Sequence, residues 1–282
     1  MTNLLSSPVY GGSAERKRSG GGNFPRYSFA NHLLSAAAGL AALAAVTGAA
    51  MSAKLDAIAT AQGPVEVQAI HHASLMLTWN GKHVFVDPTA DQDVSVESYA
   101  ALPKPDVVVY THGHYDHFNS ALLDKVAGPE TEIVCPQEVC NQISKLLQDK
   151  VHVMANGQNE TIDGIRVEAV PMYNTTPDRM KFHPKGKGNG YVLGFADKRI
   201  YVAGDTEEAP ELAHLAKIDA AFLPMNLPYT ETVEAAAKWV KDFRPRVVYP
   251  YHFRNGDGSK SDLAAFKADV GGASDVRVLD WY

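Results

Sequence analysis

The sequence is short of basic charge and of cysteine, and each shortage removes a class of protein. Among 282 residues, 26 Lys and Arg stand against 32 Asp and Glu, giving a formal charge of −6 with no long basic run. Binding to a phosphate backbone demands a basic footprint, so nucleic acid is excluded as the expected partner. There are only two cysteines, Cys135 and Cys140. Their spacing fits neither a C-x-x-C redox pair nor a cysteine-based zinc knuckle, so both read as packing residues, and whether they pair under oxidising conditions stays open. No low-complexity tract and no internal repeat interrupts residues 63–282. With 45% hydrophobic and 21% charged residues in the whole chain, residues 63–282 are expected to form one globular domain with a full core.

Residues 1–62 are expected to stand apart from it. The stretch up to Tyr27 is rich in Gly and Ser and carries Arg16, Lys17, Arg18 and Arg26, while residues 33–50 are almost wholly apolar and dominated by alanine. This pattern matches a secretory signal with a long basic leader, and predicts a periplasmic or secreted protein. Two readings compete with it. One is a membrane anchor, although the run is short of the roughly 20 strongly apolar residues that a span needs. The other is a start at Met51, which makes the protein cytoplasmic. Contact with a membrane is expected only if this segment stays uncleaved.

What the chain does have is Thr111-His112-Gly113-His114-Tyr115-Asp116-His117, three imidazoles and a carboxylate in one short stretch. Asp106-Val107-Val108-Val109-Tyr110 before it is β-branched and apolar, as in a buried strand, and helix-like spacing restarts after Phe118. The motif therefore lies on a strand-to-helix loop. With Gly113 between them, His112 and His114 can project to one side, and Asp116 and His117 follow as the chain turns. Imidazole nitrogen and carboxylate oxygen are borderline donors suited to a divalent transition metal.

Along the rest of the chain, strands are expected over 65–70 and 73–78, then over 82–87 after an Asn80-Gly81 hairpin turn. Further strands are expected over 132–134, 165–170, 191–195, 199–203, 220–224, 246–249 and 276–279, and helices over 119–126, 137–148, 231–242 and 261–268. Hairpins alternating with helix-strand units predict an α/β (α+β) fold of two mixed sheets flanked by helices. Three more donors fall at comparable places. His183 lies in a Gly-rich loop before the strand at Tyr191, Asp205 follows a strand through Gly204, and His252 follows Val247-Val248-Tyr249-Pro250-Tyr251. Singly, each reads as a loop His, a turn-capping Asp or a surface His; with the first loop they complete seven donors for two metals. His71, His83, His152 and His214 lack ligand-like settings, and a His such as His72 at a strand start is more often structural. The cations Arg179, Lys181, Lys185 and Lys187 crowd the His183 loop and could draw in an anionic substrate. Tyr229, ahead of a helix, could reach the same pocket.

These residues resemble the metallo-β-lactamase superfamily, in the branch of L-ascorbate 6-phosphate lactonase and N-acyl-phosphatidylethanolamine phospholipase D. The resemblance rests on His112-x-His114-x-Asp116-His117, Gly204-Asp205-Thr206 and Tyr249-Pro250-Tyr251-His252, with support from His72-Ala73-Ser74 and Asp87-Pro88. It implies a four-layer αββα sandwich with a dinuclear site at the sheet edges. His112, His114 and His183 would hold the first metal, Asp116, His117 and His252 the second, and Asp205 would bridge them. Zinc is the expected metal, with manganese or iron compatible. The implied activity is hydrolysis of an ester, lactone or phosphodiester in a small-molecule substrate by a water shared between the metals. Asp116 would act as ligand and catalytic residue, and Lys185 and Tyr229 as substrate contacts. A membrane-associated phospholipase and a non-catalytic metal-binding scaffold are the alternatives. Where redox-active di-iron members have Glu, this chain has His114, and no ligand position holds cysteine, so oxygen reduction and antibiotic hydrolysis are not expected.

Overall fold

A computed structural model describes residues 55–91 and 93–282; the apolar segment at 33–50 lies outside the described residues, whereas residues 56–58, expected to stand apart with the rest of 1–62, pair with the first sheet's second strand. Two seven-stranded mixed sheets pack face to face. The first holds β1 (Asp56–Ile58), β2 (Val65–His71), β3 (Ser74–Trp79), β4 (Lys82–Val86), β5 (Val107–Val109), β6 (Glu132–Cys135) and β7 (Val151–Val153) in chain order. The second holds β8 (Asn159–Ile162), β9 (Ile165–Met172), β10 (Gly188–Phe195), β11 (Lys198–Val202), β12 (Ala220–Pro224), β13 (Val247–Tyr251) and β14 (Asp275–Val276). Each sheet starts as an antiparallel meander of four strands and continues with three parallel ones. The architecture thus repeats where the sequence shows no repeat. Asp87 follows the fourth strand of the first sheet, and Gly204-Asp205 closely follows the fourth strand of the second.

Strand alternation builds the layers. Val84, Val86, Val107, Val109 and Val134 face the core shared with the second sheet, while Phe85, Val108, Ile133 and Cys135 face a separate outer cluster. That outer cluster is closed by α1 (Val96–Ala100), α2 (Ser120–Val126) and α3 (Gln137–Cys140), through Tyr99, Leu122, Leu123, Val126 and Val139. On the second sheet lie α4 (Val233–Phe243) and α5 (Leu263–Val270). The buried face of α4 is Ala236, Ala237, Trp239 and Val240, the spacing of an amphipathic helix. Caps fix the helix starts: Asn119 accepts from Leu122 N, Thr232 from Ala235 N, and Asp262 from Ala264 N and Ala265 N. The result is the predicted αββα sandwich.

Some elements differ from expectation. The helix expected over 137–148 stops at Cys140, because Cys140 is bridged back to Cys135 and the chain continues in tight turns, Gln142 N to Val139 O and Ile143 N to Cys140 O. The cysteines are therefore a disulfide rather than independent packing residues. Asn80 and Gly81 have φ of 51° and 76°, as a type I′ turn requires, and Asp163-Gly164 repeats the pattern at 47° and 82°. Among the described residues no helix is long and apolar enough to cross a membrane.

Candidate metal centre

All seven predicted donors meet at one edge of the two sheets. His112, His114, Asp116 and His117 lie on the loop between β5 and α2, Asp205 follows β11, His252 follows β13, and His183 precedes β10. Tight backbone turns place several of them. Asp87 and His252 have φ of 44° and 45°, uncommon for residues with a Cβ. Gly204 has φ of 67°, and a Cβ there would meet Met172 Sδ at 2.6 Å and Thr111 Cβ at 3.0 Å. Only glycine lets Asp205 turn in beneath the metal loop.

The donor atoms are spaced as the corners of coordination polyhedra. With metal-nitrogen bonds of about 2.0–2.1 Å, tetrahedral neighbours stand roughly 3.3 Å apart. His112 Nε2 lies 3.1 Å from His114 Nδ1, and one ligand atom from each of His112, His114 and His183 falls within 4.8 Å of the others. Asp205 lies between this group and the next. Its Oδ2 is 3.3 Å from His183 Nε2 and 3.4 Å from His252 Nε2, and its Oδ1 is 3.3 Å from His117 Nε2. Asp116 Oδ2 is 3.5 Å from His252 Nε2.

Four of these atoms, His117 Nε2, His183 Nε2, Asp205 Oδ1 and His252 Nε2, are buried and have no hydrogen-bond partner. Orphaned buried donors and acceptors are costly, and these four converge on a common space. The residues therefore fit divalent cations.

A hydrogen-bond network sets which ring nitrogen is free. His117 Nδ1 donates to Asp87 Oδ2 at 2.8 Å. Thr111 Oγ1 donates to the same carboxylate at 2.6 Å and accepts from His112 Nδ1 at 3.0 Å, while Thr111 N donates to Asp87 Oδ1 at 2.7 Å. Asp87 thus orients two imidazoles, leaving each Nε2 for metal. His183 Nδ1 donates to the carbonyl of Tyr229 at 3.2 Å. On the other flank, His72 bridges Tyr282 OH at 3.0 Å and Asp116 Oδ2 at 3.2 Å, and its ring lies 3.8 Å from that of His252, so its role exceeds a strand start. Asp87, Thr111, Tyr229 O and Tyr282 carry no local sequence signal for these roles; only the Asp-Pro pair at Asp87 hinted at one.

Burial pushes His112 and His114 below their ordinary pKa and His252 down to about 4, keeping them in the neutral, metal-binding form. Burial would also lower His117, but Asp205 and Asp87 outweigh it and raise it. Burial would raise Asp116, yet the nearby rings of His252 and His117 and the hydrogen bond from His72 hold it well below the usual carboxylate range.

Two cavities open onto the centre. One of about 250 Å³, beside His112, His114 and His183, is lined by Lys181, Phe182 and Lys187. The other, of about 500 Å³, lies beside Asp116 and His252 and includes Tyr115, Tyr229 and Arg254. Tyr229, 37% exposed, lines it. Lys185 lines neither; it pairs with Glu211 and lies over the Tyr173 ring. Arg179 is likewise paired with Glu207; Lys181 and Lys187 are the cations of that loop that line the smaller cavity, Lys187 with Glu138 of the same lining 3.6 Å away. His83 and His152 bind Thr78 and the pair Glu132 and Glu160, away from the centre.

A family model described as the beta-lactamase superfamily domain matches residues 66–252. A UPF0173 metal-dependent hydrolase from Pyrococcus horikoshii is 29% identical over 224 residues, covering 76% of this chain and 96% of the relative. A similar protein from Thermococcus kodakarensis is 28% identical over 76% of this chain and 96% of its own. The crystal structure of a protein described as a metal-dependent hydrolase from Parabacteroides distasonis is 37% identical. It superposes with a TM-score of 0.73 and covers 82% of this chain and all of its own. A metallo hydrolase from Ignicoccus hospitalis shares the fold, with 24% identity and a TM-score of 0.63 over 77% of this chain and 95% of its own.

Proposed function

The chain belongs to the metallo-β-lactamase superfamily of metal-dependent hydrolases, and from that premise we propose that it is a dinuclear hydrolase of an ester, lactone or phosphodiester in a small anionic molecule. The observation that carries this reading is the set of four buried, unpartnered donor atoms around Asp205. His112, His114 and His183 would hold one cation, Asp116, His117 and His252 the other, with Asp205 between them. Zinc suits this nitrogen-rich set, and manganese or iron would also fit. When bound, such a pair supplies a water deprotonated near neutral pH and a Lewis acid for the substrate oxygen.

The chain's own residues would do the rest. Asp116, ionised and held by His72, would orient the attacking water and take its proton, and could return that proton to the leaving group. Asp87 would keep His117 and His112 in the metal-binding tautomer. Lys181 and Lys187 would draw an anionic substrate to the smaller cavity, and Tyr229 would contact it in the larger one. A complete donor set speaks against a non-catalytic scaffold. The test is to assay metal-quantified protein on a panel of phosphodiesters, phosphomonoesters and lactones; no turnover on any member would contradict the proposal.

Export to an oxidising compartment is supported by the apolar segment at 33–50 and by the Cys135–Cys140 bridge, since disulfides persist outside the reducing cytosol. N-terminal sequencing of the purified protein tests it: a start at residue 1 or 51 argues against cleavage. An uncleaved segment with lipid partitioning would favour the phospholipase reading.

A further inference from the structure

We propose that the chain has a third divalent-cation site, built from His71, Asp91 and Asp93 and separate from the donors around Asp205. One ligand atom from each of the three residues lies within 4.8 Å of the other two. No local pattern marks His71 for such a role, because both acids lie on a loop twenty residues further on.

His71 ends β2 with 5% of its surface exposed, and its Nε2 has no hydrogen-bond partner. That nitrogen faces Asp91 Oδ2 at 3.3 Å and Asp93 Oδ2 at 3.8 Å without the alignment of a hydrogen bond. A buried imidazole nitrogen aimed between two carboxylates, yet bonded to neither, has the geometry of a ligand waiting for a shared cation. The loop is shaped to match. Asp91 Oδ1 accepts from Asp93 N at 2.8 Å and Val94 N at 3.0 Å, which closes the turn with one oxygen and leaves Oδ2 toward His71.

The charge balance also suits a divalent ion. Arg254 Nη1 lies 2.7 Å from Asp93 Oδ2 and its guanidinium stacks 4.2 Å from the centre of the Tyr282 ring, so it offsets one of the two carboxylates. Asp91 has no Lys or Arg partner among the described residues and faces only His71. One nitrogen and carboxylate oxygens select a borderline ion such as zinc or manganese, and both acids line the 500 Å³ cavity, whose water would complete the coordination. An ion here would tie the end of β2 to the loop after β4. That loop also carries Thr89, whose Oγ1 donates to Tyr115 O in the metal-binding loop at 2.8 Å.

The test equilibrates chelated full-length protein with excess Mn²⁺ and counts bound metal in wild type and Asp91→Asn, and measures anomalous scattering from Mn²⁺-soaked wild-type crystals. Wild type should hold about one equivalent more than the variant. An anomalous peak should stand roughly 2.0–2.2 Å from His71 Nε2 and an Asp91 oxygen. Equal counts, or no peak at that position, overturn the proposal; should Asp91→Asn fail to fold, the wild-type map decides alone. The outcome is independent of the dinuclear reading: failure of that reading lowers the count in both proteins and keeps the difference, whereas failure of the third site removes the difference alone.

Discussion

Asp116 and Asp87 are both carboxylates within the same network, yet their surroundings give them different work. Asp116 is partly exposed on the cavity side, within 3.5 Å of His252 and 3.2 Å of His72, so it can reach both a metal and a reacting group. Asp116→Asn keeps an oxygen donor and the shape of the site but loses the proton acceptor. It should retain most bound metal while kcat falls about 10²- to 10⁴-fold; metal analysis beside single-turnover kinetics checks this, and full activity would remove the proton role. Asp87 is fully buried behind His117 and Thr111. Asp87→Asn would replace an acceptor by a donor facing His117 Nδ1, so metal affinity should drop about 10- to 100-fold in competition with a chelating dye.

At the scale of elements, the site depends on where strands end. β13 runs to Tyr251, two residues beyond expectation, and this delivers His252 directly at the sheet edge. The donors of the first loop were legible because they are dense and follow a strand of three valines. His183, Asp205 and His252 were legible through the ends of predicted strands. Asp87, Thr111 and Tyr282 were not, because their roles arise from contacts across 24 to 210 residues of chain that no local pattern encodes. The short helix α1 and strand β1 went unseen for a related reason: pieces of five and three residues carry too few positions to show a period.

The approach to α4 supplies a separate prediction. Glu231, 2% exposed, accepts from the backbone N–H of Glu208, and burial, with Glu207 and Glu208 nearby, pushes its carboxyl up to about 8. Because the folded state holds this proton more tightly than the unfolded chain, the stabilisation is complete below the ordinary glutamate pKa of about 4.3 and is lost as pH rises through 8. Glu231→Gln removes that dependence. Its Tm should exceed that of wild type by about 5 °C at pH 9 and by much less at pH 5, as read by calorimetry; equal shifts at both would contradict the assignment.

In the whole molecule, two sheets of the same strand pattern meet at one edge and each contributes an aspartate after its fourth strand. The two aspartates have diverged in use: Asp87 holds imidazoles from behind, and Asp205 stands between the two donor groups. Because donors come from both sheets, bound metal would clamp one half of the sandwich to the other. Removing it with a chelator should lower Tm, and restoring it should raise Tm in proportion to the logarithm of free metal. A Tm indifferent to metal would show that the seven donors do not bind across the sheets.

The proposed hydrolytic centre needs two ions at this edge. The most direct test is to titrate zinc into chelated protein while following hydrolysis of the best substrate from the ester, lactone and phosphodiester panel. Turnover should rise steeply only as the second of the two sites fills, and Asp116→Asn, filled to the same extent, should stay nearly inactive. Full turnover with a single bound ion, or undiminished hydrolysis in the chelated protein, would contradict the proposal.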